Sequence, residues 1–183
     1  MILTPRDRHR LAFPLMATLP LPVPKRSTNA PHLRSASAAD LGEVRALLEA
    51  CGLPTADLAT SRPLFIVACQ DGKIIATGAL QRCGTGGSAL LRSVAVAAEA
   101  RGLGLGRSIV RELECLARST GISQLTLLTQ DAREFFAALG YRVIDRQAAP
   151  GEVQQSAEFS SLCPASCVCL SKGLDGGAPE SSA

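Results

Sequence analysis

The sequence predicts one α/β domain of the α+β kind, a mixed, mostly antiparallel sheet of about seven strands flanked by helices. Three observations predict it. Strand-like and helix-like periods alternate from about residue 31 to 172; Asp71-Gly72 stands between two strand-like runs as a hairpin turn; and Ala89 to Thr129 reads as strand, helix, strand. Hairpins give antiparallel neighbours, whereas a helical crossover makes its two strands parallel, so the sheet is mixed.

The elements follow in order. Residues 32 to 35 form a short strand, and Ser37 or Asp40 caps a helix whose Leu41, Val44, Leu47 and Leu48 recur at helical spacing, with Gly52 and Pro54 as its stop. Leu64 to Gln70 and Lys73 to Gln81 are the hairpin strands, and Ala89 to Val96 follows a glycine-rich loop. Leu105 to Ser119 carries Ile109, Val110, Leu113, Leu116 and Ala117 on one helical face, and Gly121 ends it. Ile122 to Thr129 is a buried-type strand, Asp131 to Leu139 a short helix ended by Gly140, and Tyr141 to Arg146 a strand. Pro150 opens another helix through about Ser161, and Ser166 to Ser171 is the last strand.

Residues 1 to 30 carry five prolines and no sustained period and are expected to be a disordered arm; 31 to 172 form the domain; the Gly/Ser/Pro-rich 173 to 183 read as a flexible tail. A net charge of +3 and 3% aromatic content argue against a nucleic-acid partner, and no apolar run reaches membrane-spanning length. Seven cysteines, several inside apolar segments, read as reduced and packed thiols in a cytoplasmic protein. No metal site is expected, because Cys163, Cys167 and Cys169 lack zinc-ligand spacing and a nearby histidine. Whether the chain forms a homodimer stays open.

The most informative stretch is Leu91 to Val96, a spacer, then Arg101-Gly102-Leu103-Gly104-Leu105-Gly106-Arg107 opening a helix. A helix N-terminus presents unpaired N–H groups and a partial positive charge, and glycines let the backbone approach an anion. A pyrophosphate suits it. The loop lacks the Lys-Ser/Thr pair of a Walker loop and the strand-abutting GxGxxG of a dinucleotide fold. An ordinary glycine-rich turn is the remaining bland reading.

Arg101, Gly104 and Gly106, after a strand and before a helix, resemble the signature of the GNAT superfamily of acyl-CoA-dependent N-acetyltransferases; Leu125 to Thr129 and Phe135 to Tyr141 resemble its later motifs in the same order. The resemblance implies splayed fourth and fifth strands with acetyl-CoA between them. It implies that Val94 and Val96 hold the pantetheine arm by their backbone, that Arg101, Gly102, Leu103, Gly104, Leu105, Gly106 and Arg107 hold the pyrophosphate, that Phe136 lines the cofactor site, and that a backbone N–H near Val94 faces the thioester oxygen. A narrower likeness, in Ser156-Ala157-Glu158-Phe159, Leu162 to Ser166 and Leu53 to Asp57, is to a bacterial branch associated with arsenic-resistance loci, implying a small, amino-acid-like amine as acceptor.

Phe136 stands where many relatives carry a tyrosine that protonates the leaving sulfur, which leaves Tyr141 as the remaining candidate acid. Arg92 and Ser93 flank the expected thioester position, where an arginine can grip a carboxylate, and Glu158 can hold a substrate ammonium or take its proton. Each also has a bland reading on a solvated or packed face. Two rivals to the enzyme remain: a degenerate module binding acetyl-CoA or sensing a trivalent metalloid through cysteines, and a protein using the glycine loop for another nucleotide.

Overall fold

The computed structural model of the chain describes residues 29–174, so the expected arm before Asn29 and the expected tail after Leu174 lie outside the described residues. Seven strands form one sheet in the order β1-β2-β3-β4-β5-β7-β6. They are β1 His32–Ser35, β2 Leu64–Gln70, β3 Lys73–Cys83, β4 Ser88–Val96, β5 Gln124–Thr129, β6 Arg142–Ile144 and β7 Val168–Gly173. All neighbours are antiparallel except β4 and β5, which run parallel because helix α3, Leu105–Ser119, crosses between them.

Local chemistry sets the helix ends. Ser37 and Asp40 form a capping box around one 3-10 turn, with the Asp40 carboxylate accepting the Ser37 N–H at 2.6 Å, and α1, Leu41–Ala50, follows. Gly121, at φ +77°, closes α3: its N–H reaches the Arg118 carbonyl and the Ile122 N–H reaches that of Ala117, at 3.1 and 2.9 Å. Helix α3 and α4, Arg133–Ala137, cover one sheet face, with Ile109, Val110 and Leu113 fully buried against Leu80, Leu91 and Leu125. On the other face α1 packs Val44, Leu47 and Leu48 on Phe65 and Val67. A third cluster there joins Cys83, Leu90 and Cys169 to Val153 and Phe159.

The sequence expectations needed two corrections here. Four-residue α2, Leu58–Ser61, lies in a stretch too short to show a period. The expected single helix from Pro150 to Ser161 is instead α5, Gly151–Gln154, followed by a π-helical turn, Glu158–Leu162. That turn widens because the Cys163 N–H reaches five residues back to the Glu158 carbonyl at 3.0 Å, while the Arg146 guanidinium takes the carbonyls of Phe159, Cys163 and Pro164. Between β5 and β6, β7 runs to Gly173, and Leu174 is buried.

Candidate active site

Strand β4 is broken by a bulge. The register with β3 passes from Ala79↔Arg92 to Thr77↔Ala95, so Ser93 and Val94 together face Gly78. Ser93 takes φ +56°, a left-handed conformation uncommon for a side-chain-bearing residue. Gly78 is required opposite: a Cβ there would lie 2.5 Å from Ile109 Cγ2 and 2.9 Å from Leu113 Cδ1. The parallel pairing of β4 with β5 covers only Ser88–Leu90 and Gln124–Thr126, and beyond it β5 continues with β7 alone. The two central strands therefore part at the level of the bulge, which leaves one edge of β4 without a strand partner from Leu91 onward.

The glycine loop sits at the top of that gap. Gly102 and Gly104 have φ of +79° and +77°, and a Cβ on either would meet nothing within 4 Å. The backbone ladder of α3 begins with the Ser108 N–H on the Gly104 carbonyl at 3.1 Å, so helix geometry leaves Leu105, Gly106 and Arg107 without an acceptor inside the helix. Gly106 lets the helix end approach Phe135, whose Cζ would stand 3.3 Å from a Cβ at this position. A cavity of about 620 Å³ opens in front of these N–H groups and runs along β4 to α4.

Every expected cofactor residue except Leu103 lines that cavity: Val94 and Val96 on β4, the rest of the 101–107 loop, and Phe136 on α4. Leu103 points outward and is 64% exposed. Cys51, Leu53, Asp131 and Phe135 also line it; Leu53 and Phe135 fall in stretches that carried the resemblance, whereas nothing in the sequence singled out Cys51 or Asp131. The Val96 carbonyl lies 3.8 Å from the Cys51 thiol and 3.3 Å from Arg101 Nε, which ties the end of α1 and the loop to this strand. Free N–H groups at a helix start, two exposed arginines and an unpaired strand edge together fit a nucleotide diphosphate with an amide-bearing tail.

Two of the three expected acceptor residues, Arg92 and Glu158, meet on the opposite sheet face, whereas Ser93 is taken up by the bulge. Arg92, 3% exposed, shares that face with Leu90 and is held from two sides. Its Nη1 and Nη2 atoms grip Asp57 Oδ2 and Oδ1 at 2.5 and 2.7 Å, Nη1 also donates to Gln81 Oε1 at 2.7 Å, and Nε lies 2.8 Å from Glu158 Oε2. That last pair is close but misaligned, for neither Nε nor Oε2 completes a hydrogen bond. Burial works against the Arg92 charge, but Asp57 and Glu158 outweigh it and raise its pKa. The hydrogen bond from Arg92 holds Asp57 below the usual carboxylate range, whereas burial pushes Glu158 above it despite the arginine. Asp57 is the member that sequence reasoning missed: it ends the Leu53 to Asp57 likeness, but nothing in a sequence pairs it with a strand 35 residues away.

Other expected groups are placed elsewhere. Tyr141 is 2% exposed, packs edge-on against Phe136 and does not line the cavity; burial, and then the nearby Glu114 charge, raises its pKa well above the ordinary tyrosine range. Thr129 caps the turn into α4, accepting the Ala132 N–H at 3.0 Å. Cys163 stands 3.8 Å from Glu158 Oε1, and its thiol is pushed up to about 12 by burial and then by the Glu158 charge. All seven cysteines are unbridged, and among the described residues no three metal-ligating side chains come together to hold an ion.

Comparison with known proteins agrees with this geometry. Residues 61–143 match the sequence profile described as an acetyltransferase (GNAT) domain. A 56-residue stretch is 43% identical to N-alpha-acetyltransferase 80 of Mus musculus, covering 31% of this chain and 18% of that protein. N-acetylglutamate synthase from Neisseria gonorrhoeae, complexed with coenzyme A and N-acetyl-glutamate, superposes with a TM-score of 0.69 at 21% identity over 81% of this chain and 36% of that one. The Mycobacterium tuberculosis protein Rv2747, in complex with coenzyme A, superposes at 0.66 with 25% identity over 78% of this chain and 99% of that one. The chain thus spans under a fifth of the mouse protein and little over a third of the gonococcal one. A matching profile over residues 61–143, which hold the central strands and the glycine loop, on a seven-strand sheet parted at β4 and β5, gives this chain the fold of the GNAT acetyltransferases and, over those residues, likeness to their sequence profile.

Proposed function

We propose that the chain is an acetyl-CoA-dependent N-acetyltransferase acting on the amine of a small, amino-acid-like molecule. The observation that carries the reading is the glycine-loop cavity, lined by Val94 and Val96 of β4, with the buried Arg92–Glu158 pair, within ion-pair distance yet without a hydrogen bond, two residues away along the same strand. When bound, acetyl-CoA supplies an activated acyl thioester. The N–H groups opening α3 and the Arg101 and Arg107 charges hold the diphosphate, and the open edge of β4 at Val94 and Val96 takes the pantetheine amides. The Val94 N–H, next to the bulge at Ser93, stabilises charge growing on the thioester oxygen.

Arg92 and Glu158 serve the acceptor. A zwitterionic amino acid entering between them gives its carboxylate to the arginine Nε edge and its ammonium to the glutamate, satisfying both groups. Glu158, its pKa raised, is a stronger base than an ordinary carboxylate and takes one proton from the ammonium, giving the neutral amine that attacks the thioester carbon; the second proton leaves the nitrogen as the C–S bond breaks and goes to the departing thiolate or to solvent. Protonation of the leaving sulfur matters less, because a thiol of pKa about 8.5 departs as a stable anion near neutral pH, and this offsets the phenylalanine at 136. The gonococcal synthase of the same fold is itself complexed with an acetylated amino acid, in line with this acceptor class. The wording of Ser156 to Ser166 adds amino acids carrying an arsenical group to the acceptors worth assaying, and the unbridged cysteines suit a reducing cytoplasm.

The test is acetyl-CoA-dependent thiol release over a panel of amino acids, simple amines and arsenic-bearing amino acids, alongside calorimetric titration with coenzyme A. Transfer to an amino acid is the expected result. Coenzyme A binding without transfer to any amine would favour a degenerate binding module, and no binding at all would remove the nucleotide assignment.

A further inference from the structure

Asp57 takes no part in the chemistry assigned above, yet it is the closest partner of Arg92, at 2.5 and 2.7 Å through both of its oxygens. A guanidinium offers a carboxylate two edges, one made by Nη1 and Nη2 and one by Nε and Nη2. Asp57 occupies the first, and Gln81 takes a further Nη1 hydrogen at 2.7 Å. The second edge is left facing Glu158, whose Oε2 is near Nε without bonding it.

Asp57 is itself anchored. Its carbonyl accepts the Thr60 and Ser61 N–H groups at 3.0 and 2.8 Å and the hydroxyls of the same two residues at 2.9 and 2.8 Å. The short helix α2 is thus wound onto the residue that holds Arg92. We infer that Asp57 is the positioning residue of the acceptor site: it fixes the Nη end of Arg92 so that the Nε edge is presented, beside Glu158, to the carboxylate of a zwitterionic acceptor. The inference rests on Arg92 and Glu158 being the acceptor groups. A buried ion pair that only fastened α2 to the sheet would have no reason to affect one substrate more than another.

Asp57→Asn keeps the shape and removes the charge, and Asp57→Glu keeps the charge but shifts it by one methylene. In steady-state kinetics with acetyl-CoA, Asp57→Asn should raise the KM for an α-amino acid at least tenfold with a smaller change in kcat, and leave the KM for acetyl-CoA as in the parent. The kcat/KM preference for that amino acid over its decarboxylated amine should fall at least tenfold, and Asp57→Glu should restore part of it. If Asp57→Asn fails to fold, Asp57→Glu carries the same comparison with an intermediate loss of preference. An unchanged preference, or equal effects on both substrates, overturns the inference while the proposed function stands. A parent protein that acetylates no amine overturns both.

Discussion

Arg92 Nε and Glu158 Oε2 stand 2.8 Å apart, both buried, without a hydrogen bond between them. Leaving two buried charged groups mismatched costs stability, and such costs persist where a ligand relieves them. Glu158→Gln should therefore lower kcat/KM for the acceptor by about 10²–10⁴-fold if the carboxylate takes the amine's proton. The pH dependence carries the sharper signature. In the parent, the kcat/KM profile should show a limb rising with pH through a pKa above the ordinary 4.5, and the variant should lack that limb. A variant profile with the same limb would assign it to another group.

Asp57 and Glu158 pull the stability of the fold in opposite directions as pH changes. The folded pKa of Asp57 lies below the ordinary 3.8, so its contribution is complete above 3.8 and is lost as pH falls through its folded value. Glu158 has a raised pKa, so the folded state binds its proton more tightly and is relatively weakened as pH climbs from 4.5 through the folded value. Urea unfolding across pH should show Asp57→Asn with a shallower acid limb below about pH 4 and Glu158→Gln with a flatter curve above it. Asp40, which Arg34 holds below the carboxylate range in the same way, keeps part of the acid limb in Asp57→Asn.

Gly78 is the packing counterpart of the bulge. A methyl group there would sit 2.5 Å from Ile109 Cγ2 and 2.9 Å from Leu113 Cδ1, both on fully buried side chains of α3. Gly78→Ala should destabilise the fold by ~1–3 kcal/mol through overpacking, read from denaturant midpoints. Pairing it with Ile109→Ala should cost less than the sum of the two single changes, because the second removes the clashing methyl. Full additivity would mean that the helix shifts away instead.

How much of this was legible in the sequence depended on the range of the signal. All seven strands, the parallel crossover and the glycine loop were readable because each is written in a local period or a turn residue, as with Asp71-Gly72, Gly104 and Gly121. Helix α2 was not, since four residues hold barely one turn. The π-helical turn at Glu158 was read as ordinary helix, because what opens it is Arg146, twelve residues upstream and unrelated by any period. Arg92 and Glu158 were picked out singly, but their meeting, with Asp57 on the far edge of the guanidinium, depends on three segments packing on one sheet face. Tyr141 was open between cleft and core, and alternation in a short strand could not decide it; the structure buries it to 2% exposure outside the cavity lining.

The glycine loop yields the last prediction, and its control lies at the other end of the same helix. Gly104 and Gly121 both take φ +77°, and at both a Cβ would meet nothing within 4 Å. A β-branched residue at either is strained by ~1–2 kcal/mol from the left-handed backbone alone, so Gly104→Val and Gly121→Val should lower the unfolding midpoint to a similar degree. Only Gly104 lies beside the unpaired N–H groups of Leu105, Gly106 and Arg107 at the cavity wall. Gly104→Val should therefore weaken coenzyme A binding at least tenfold by calorimetry, and Gly121→Val should leave it within about twofold of the parent. The factor of ten corresponds to ~1.4 kcal/mol, well within what a displaced set of anion-holding amides loses. Equal losses at the two glycines would trace the effect to general destabilisation, and no loss at either would take the diphosphate away from this loop.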